Sequence, residues 1–185
     1  MENFVLKTIK NRSSIRGYET RPLEEAQLRA LELAALASPT AMNRQDQRFV
    51  FVTNAEIIER IDRAVVDGII ASGNEAFAER IRSRGGKTLY APPLFVAIFA
   101  KPSHYSGVDA GIAVENLALA AKSLGLDSVI LGMPSAAFAG EAGHSLAASL
   151  GVPEGFEFEI GISIGYAAVE KAPHTFDESH ILEVR

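Results

Sequence analysis

The sequence contains neither cysteine nor tryptophan. Without cysteine the chain forms no disulfide, no thiolate nucleophile, no iron–sulfur cluster and no cysteine zinc site. The four histidines lack the spacing of metal ligands, since His104, His144, His174 and His180 are never four residues apart with an acidic companion between them. The longest apolar run is the seven residues from Leu94 to Ala100, whereas a membrane-spanning helix needs roughly 20. We therefore expect no metal centre and no membrane span.

Neither sign of charge is strongly in excess. Lys and Arg number 18 and Asp and Glu 23, which gives a net charge of −5, and a net acidic chain is a poor candidate for binding nucleic acid. The N-terminal residues lack the basic region and apolar block of a signal peptide, so we expect a cytoplasmic protein. With 185 residues, of which 48% are hydrophobic, residues 1–185 are expected to form one globular domain with its own core.

Several phosphate-binding and hydrolase motifs are missing. The sequence has no G-x-G, so it lacks the glycine turn on which a Rossmann domain places a pyrophosphate. Gly86-Lys87-Thr88 resembles the end of a P-loop, but Ile81 occupies the position of the first glycine. The one G-x-S-x-G match, from Gly161 to Gly165, falls in a predicted strand and not at the strand-to-helix turn of a nucleophile elbow. The chain is therefore a poor candidate for a nucleotide triphosphatase, a Rossmann dehydrogenase or a serine hydrolase.

Hydrophobic periodicity predicts an alternation of helices and strands. Thr53 and Glu56 are spaced as a capping box for one of the helices. Helices are predicted over residues 22–38, 76–81, 109–124 and 136–150, and the helix after Thr53 is expected to bury Ile58, Ile61, Val65 and Ile69. The predicted strands cover 48–53, 94–100, 127–131 and 157–164. A polar loop is expected after residue 81, and the tail from Ala167 to Arg185 has little periodicity of its own.

Two polar segments are candidates for binding a ligand. Arg12-Ser13-Ser14-Ile15-Arg16 combines two guanidiniums with two hydroxyls, which suit a phosphate or a ribityl chain; the alternative is a solvated basic turn. The segment from Ser38 to Gln45 carries Asn43 and Gln45, whose amides can read the donor and acceptor edge of a flat heterocycle. The alternative for this second segment is an ordinary loop that connects a helix to a strand.

Taken together and in order, these segments resemble the FMN-dependent nitroreductase family. That family typically shows an Arg-x-Ser-x-Arg-x-aromatic opening, here residues 12–18, and a Ser-Pro-Ser-x-x-Asn-x-Gln loop, here residues 38–45. The resemblance continues through Tyr90-Ala91-Pro92, Asp109-Ala110-Gly111 with Asn116 to Ala121, Leu131-Gly132-Met133, and Ile162 to Tyr166. It spans nearly the whole chain. Asp46-Gln47 stands where the family often has Pro-Trp, and residues 73–90 match no subgroup.

The resemblance implies an α+β, three-layer fold with a central mixed, largely antiparallel sheet flanked by helices and a domain-swapped C-terminal tail. It implies a homodimer with FMN at the subunit interface and no catalytic side chain, because the flavin carries the chemistry. Arg12, Ser13, Ser14 and Arg16 would hold the phosphate and ribityl end, and Lys171 or His174 would complete the phosphate site. The residues expected to approach the flavin are Pro39, Thr40, Ala41, Asn43 and Gln45, the Pro-Thr-Ala part from the other subunit, together with the backbone of Leu131 and Gly132.

The activity implied by the resemblance is an NAD(P)H-dependent reduction of nitroaromatics, quinones or related electron-poor acceptors by a ping-pong mechanism. Two alternatives remain open. One is a specialised flavin enzyme of the same fold, such as a flavin reductase, a dehalogenase or a flavin-fragmenting enzyme. The other is a flavin-binding module without turnover. The physiological acceptor and the choice between NADH and NADPH are not encoded in any motif.

Overall fold

The computed structural model describes residues 3–73, 75–83 and 85–185, and these residues contain four β-strands in one sheet. The strands are β1 (Gln47–Val52), β2 (Leu94–Ala100), β3 (Asp127–Leu131) and β4 (Glu157–Gly165), in the spatial order β1-β2-β4-β3. Each neighbouring pair is antiparallel. Within the described ranges the parallel component of the expected mixed sheet is confined to an isolated bridge between Ser14 and Ser128.

The helices cover both faces of this sheet, and their bounds largely follow the periodicity of the sequence. They are α1 (Phe4–Asn11), α2 (Glu25–Leu36), α3 (Ala55–Ala71), α4 (Glu75–Arg82), α5 (Ser106–Ser123) and α6 (Gly140–Ser149). Short 3-10 turns occupy Ala41–Asn43, Met133–Ala137 and Glu178–His180. No helix within the described ranges is both long enough and apolar enough to cross a membrane.

Strand β2 forms the middle of the core, and all seven of its residues are buried. Successive side chains on a strand point to opposite faces. Phe95, Ala97 and Phe99 pack into the cluster formed with α3, α4 and α6. The alternate residues Leu94, Val96 and Ile98 pack into the cluster formed with α2 and α5. The predicted three-layer α+β architecture, with a strand covered on both faces, is confirmed.

Three local predictions need correction. The N-cap of α3 is Asn54 rather than Thr53, because the Asn54 side chain accepts hydrogen bonds from the backbone N–H groups of residues 56 and 57. The helix predicted over 136–150 is divided into a 3-10 turn and α6. A Cβ on Gly143 would lie 2.1 Å from the carbonyl carbon of Phe138, so the chain folds back closely on the first turn of α6. Helix α1, capped by Asn3, was not predicted at all.

The C-terminal tail follows β4 and is exposed from Ala168 to Arg185. It is tied to the N-terminal segment at its start. The backbone N–H of Ala168 donates to the carbonyl of Gly17 at 3.0 Å, and the Ser13 hydroxyl donates to the carbonyl of Lys171 at 3.2 Å. Beyond Lys171 the tail has one 3-10 turn, and its exchange with a partner subunit stays a prediction.

Candidate functional site

The segment from Arg12 to Arg16 lies beside the first half of β3. The backbone N–H of Ile15 donates to the carbonyl of Ser128 at 3.0 Å. The Tyr18 hydroxyl lies 2.8 Å from the carbonyl oxygen of Ile15 and 3.0 Å from that of Ser163 in β4. Burial raises the pKa of Tyr18 well above its ordinary value, so this phenol stays a neutral donor. These contacts hold the segment in one conformation against the sheet.

The two arginines of this segment carry its positive charge. Arg12 Nε is 3.6 Å from Glu115 Oε1 on α5, and its side chain is 22% exposed. Arg16 is exposed, and its guanidinium carbon is 6.0 Å from the ring centroid of Tyr90. Because guanidinium groups form paired hydrogen bonds to phosphate, both arginines are suited to an anionic ligand.

The remaining predicted residues of the phosphate end fall in different environments. Ser13 is buried, and its hydrogen bond brings the backbone of Lys171 to the segment. Ser14 is half-buried at its bridge to Ser128. His174 is exposed and packs edge-on against Phe176 with ring centroids 5.3 Å apart. The structure therefore brings Ser13, Ser14 and the backbone of Lys171 together with the arginines, whereas His174 contacts the tail itself.

The loop from Ser38 to Gln45 is closed by its own side chains. The Thr40 hydroxyl oxygen accepts from Gln45 N at 3.0 Å, and Gln45 Nε2 donates to Asn43 Oδ1 at 2.9 Å. Met42, Asn43 and Gln45 have φ values of 54°, 52° and 53°. Such left-handed conformations cost a residue with a side chain about 1–2 kcal/mol each. Since Pro39 and Asn43 are exposed, the loop presents a strained and rigid surface to solvent.

Helix α5 holds this loop through two polar side chains. Both carboxylate oxygens of Asp109 accept from the backbone N–H of Ala41, at 3.0 and 3.2 Å. Asn116 Nδ2 donates to Ser38 Oγ at 3.2 Å. Residues seven apart lie on one face of a helix, so Asp109 and Asn116 form a single edge under the loop. In the sequence both residues stand out only as parts of a motif, and this role was not predicted.

Leu131 is the last residue of β3 and Gly132 follows it, at the end of the strand away from the arginines. Leu131 is buried, whereas Gly132 is exposed and a Cβ built on it would meet no atom within 4 Å. Leu131 is three positions beyond Ser128, a distance of about 10 Å along a strand. Cationic side chains thus lie near the start of β3, and the exposed Gly132 follows its end.

Within one chain the loop 38–45 lies apart from the arginine segment. It precedes β1, an outer strand, and β3 is the other outer strand, three interstrand steps or about 14 Å away. On α5, Glu115 contacts Arg12, whereas Asp109 and Asn116 contact the loop. Glu115 points about 100–120° away from Asp109 and Asn116 around the helix axis. One chain therefore presents the arginine segment and the loop 38–45 as two separate polar regions.

The comparisons with known proteins agree in one family. A model of the Nitroreductase family matches residues 9–166. A nitroreductase from Desulfitobacterium hafniense DCB-2, solved with bound FMN, is 32% identical, with a TM-score of 0.93 over 100% of both chains. A nitroreductase from Bacteroides fragilis NCTC 9343, also solved with bound FMN, is 27% identical, with a TM-score of 0.93 over 100% of both chains.

A curated relative from Archaeoglobus fulgidus is named, provisionally, an NADH dehydrogenase/NAD(P)H nitroreductase. It is 28% identical over 173 residues, which are 94% of this chain and 91% of the relative. The match of the family model covers most of the chain, from α1 to the end of β4. The protein belongs to the nitroreductase family.

Proposed function

We propose that the protein is an FMN-dependent oxidoreductase that uses NAD(P)H to reduce nitroaromatics, quinones or related electron-poor acceptors. The observation that carries the proposal is the placement of Arg12 and Arg16 near the start of β3 and of the exposed Gly132 just beyond its end. Relatives solved with FMN and named for NAD(P)H support the cofactor and the donor.

The donor set fits FMN better than a dinucleotide. A single terminal phosphate suits the guanidiniums of Arg12 and Arg16 and the hydroxyls of Ser13 and Ser14. The Ser13–Lys171 hydrogen bond supports Lys171 rather than His174 as the further basic residue at this end. Leu131 and Gly132 would present backbone groups to the ring. When bound, FMN supplies the two-electron redox chemistry, and the protein binds and orients the reactants.

We propose a homodimer because the arginine segment and the loop 38–45 lie apart within one chain. We propose that each FMN site combines β3 and the arginine segment of one subunit with Pro39, Thr40, Ala41, Asn43 and Gln45 of the other. Exposed apolar side chains on α1 and α5 support an interface there, because a monomer rarely exposes such a patch. They are Phe4 (68% exposed), Val5, Ile9, Val108 (58% exposed) and Ile112. The exposed tail residues Phe176, Ile181 and Leu182 would cover the partner in the same assembly.

Turnover is proposed to be ping-pong, with donor and acceptor using one opening in turn. The chain has no glycine turn for a separate nicotinamide domain. Arg82 and Lys87 are exposed beside the turn that leads to Tyr90, and Arg84 lies outside the described residues. Basic side chains there would attract the phosphates of NAD(P)H. Initial rates at several fixed acceptor concentrations are expected to give parallel double-reciprocal lines, whereas intersecting lines would contradict a shared opening.

The decisive experiment is an absorbance spectrum of the purified protein before and after anaerobic addition of NAD(P)H. A yellow protein that releases FMN on denaturation and loses its flavin absorbance with NAD(P)H is expected. Continued NAD(P)H consumption with an added quinone or nitroaromatic distinguishes an enzyme from a flavin-binding module. A colourless protein that takes up no added FMN would refute the proposal, and a folded monomer with bound FMN in sedimentation would refute the shared site.

A further inference from the structure

A carboxylate is buried on the apolar face of α3. Asp62 is 7% exposed and adjoins the buried residues Ile61 and Val65. One of its oxygens accepts from the backbone N–H of Thr88 at 2.6 Å and from that of Leu89 at 2.9 Å, and it also accepts from the Thr88 hydroxyl. All three donors are uncharged. Burying a carboxylate is costly unless hydrogen bonds satisfy it, so packing alone does not explain an acidic residue here.

The segment that Asp62 holds is clamped from both sides. Thr88 and Leu89 are 1% and 0% exposed. The hydroxyl of Ser163 in β4 donates to the carbonyl of Leu89 at 2.8 Å. Asp62 on α3 and Ser163 on the sheet thus determine both the N–H and the C=O directions of the same short stretch of backbone.

A strained turn follows immediately. Tyr90 and Ala91 have φ values of +65° and +47°. Two consecutive left-handed residues with side chains are unfavourable, and a residue that precedes proline, as Ala91 precedes Pro92, favours an extended conformation. Such strain persists only where the surroundings over-determine the backbone, and it is typical of functional sites. The clamp on Thr88 and Leu89 supplies that constraint on the N-terminal side of the turn.

The turn ends at the proposed cofactor site. It places the Tyr90 ring 6.0 Å from the guanidinium carbon of Arg16. The carbonyl of Ser163 lies 3.0 Å from the Tyr18 hydroxyl, which in turn reaches the carbonyl of Ile15. One buried polar network therefore runs from α3 through β4 to the backbone of the arginine segment.

We propose that Asp62 is a positioning residue of the cofactor site, which fixes the turn at residues 88–91 and thereby holds Tyr90 against Arg16. The inference rests on the proposed function. Asp62 reaches no ligand itself and acts through Tyr90. Without Asp62, the cation–π contact between the Tyr90 ring and Arg16 should be lost. We expect FMN affinity to fall by the equivalent of that contact, about fivefold.

The test is a double-mutant cycle on FMN binding. The affinity of each cofactor-free variant for FMN is measured by fluorescence titration. Asp62→Ala removes the oxygen that accepts all three hydrogen bonds. It is expected to weaken binding about fivefold in the wild-type background and to have no further effect in a Tyr90→Ala background, because the two changes act through one contact. Asp67→Ala is the matched control, since Asp67 is an exposed acidic residue of the same helix. It should bind FMN as the wild type does.

A second readout does not need the cofactor. Asp62→Ala should change the tyrosine band of the near-ultraviolet circular dichroism of the cofactor-free protein, and Tyr90→Phe identifies the part due to Tyr90. Equal FMN affinity of Asp62→Ala and the wild type, or losses that add in the double variant, would overturn the inference. If the wild type itself binds no FMN, the proposed function fails instead.

Thr88→Val tests the same inference if Asp62→Ala does not fold. Valine has the shape of threonine and removes one of the three donors to Asp62 while leaving both backbone N–H groups. Thr88→Val should weaken FMN binding in the same direction by about twofold, and the effect should vanish in the Tyr90→Ala background. Unchanged affinity would overturn the inference.

Discussion

Removing the Asp109 carboxylate tests whether α5 holds the loop 38–45. In Asp109→Ala the N–H of Ala41 loses both acceptor oxygens. A hydrogen bond to a charged group contributes about 1.5–3 kcal/mol, and an acidic residue in the first helical turn adds about 0.3–1 kcal/mol. Water reaches the half-buried Ala41 N–H in the variant, and alanine is the better helix former by about 0.5 kcal/mol. The net loss of stability is therefore about 2 kcal/mol.

Thermal or urea unfolding of the cofactor-free protein measures this loss. For a chain of this size, a destabilisation of about 2 kcal/mol lowers Tm by about 4–8 °C. Asp46→Ala is the matched control. Asp46 flanks the same loop, but its carboxylate lies 3.7 Å from Lys101 Nζ and is 43% exposed, so its loss should cost less than about 1 kcal/mol. Equal Tm values for Asp109→Ala and Asp46→Ala would refute the anchoring role.

Three further outcomes are expected. Arg12→Ala should weaken FMN binding at least about tenfold, since one charge-assisted contact to phosphate contributes about 1.5–3 kcal/mol; unchanged affinity in a titration would remove Arg12 from the site. Burial raises the pKa of Tyr18 in the folded protein. Above about pH 10, the ordinary pKa of tyrosine, the unfolded chain loses this proton while the folded protein keeps it, so the free energy of unfolding should fall by about 1.4 kcal/mol per pH unit. Urea unfolding at about pH 9 and about pH 11 should show this slope in the wild type and not in Tyr18→Phe. Gly68→Ala should destabilise by about 2 kcal/mol or more, because its Cβ would lie 2.1 Å from the carbonyl oxygen of Ala136, whereas Gly107→Ala, whose Cβ would meet only Glu159 at 3.7 Å, should leave urea unfolding nearly unchanged.

The elements that could be predicted from the sequence are those whose pattern is local. Strand β2 begins and ends where its apolar run does, because a strand buried on both faces needs an uninterrupted run. Helix α6 was misplaced because its start depends on the contact of Gly143 with Phe138 rather than on periodicity. Helix α1 was missed although its apolar residues segregate with a helical period, and none of its residues is buried within one chain.

The candidate site likewise has a part that could be predicted from the sequence and a part that could not. The order of motifs along the chain was enough to predict the family and the residues expected around FMN, since each residue type that binds phosphate or a heterocycle edge can be recognised by its own chemistry. The anchors Asp109, Asn116 and Asp62 were not predicted as such. Each holds a segment 26 to 78 residues away, and an acidic or amide residue on a helix carries no sign of a distant backbone partner.

The sequence by itself therefore determined the α+β order of elements, the buried strands and the ligand-binding residue types, because these follow from side-chain chemistry and short-range periodicity. Only the tertiary structure decided which of those residues share a surface. The order of strands places the loop 38–45 next to one outer strand, β1, whereas β3 is the other outer strand. Helix α5 contacts the loop and Arg12 from two different faces. Pairing between distant strands arises from the packing of the whole domain, and no local stretch of sequence specifies it.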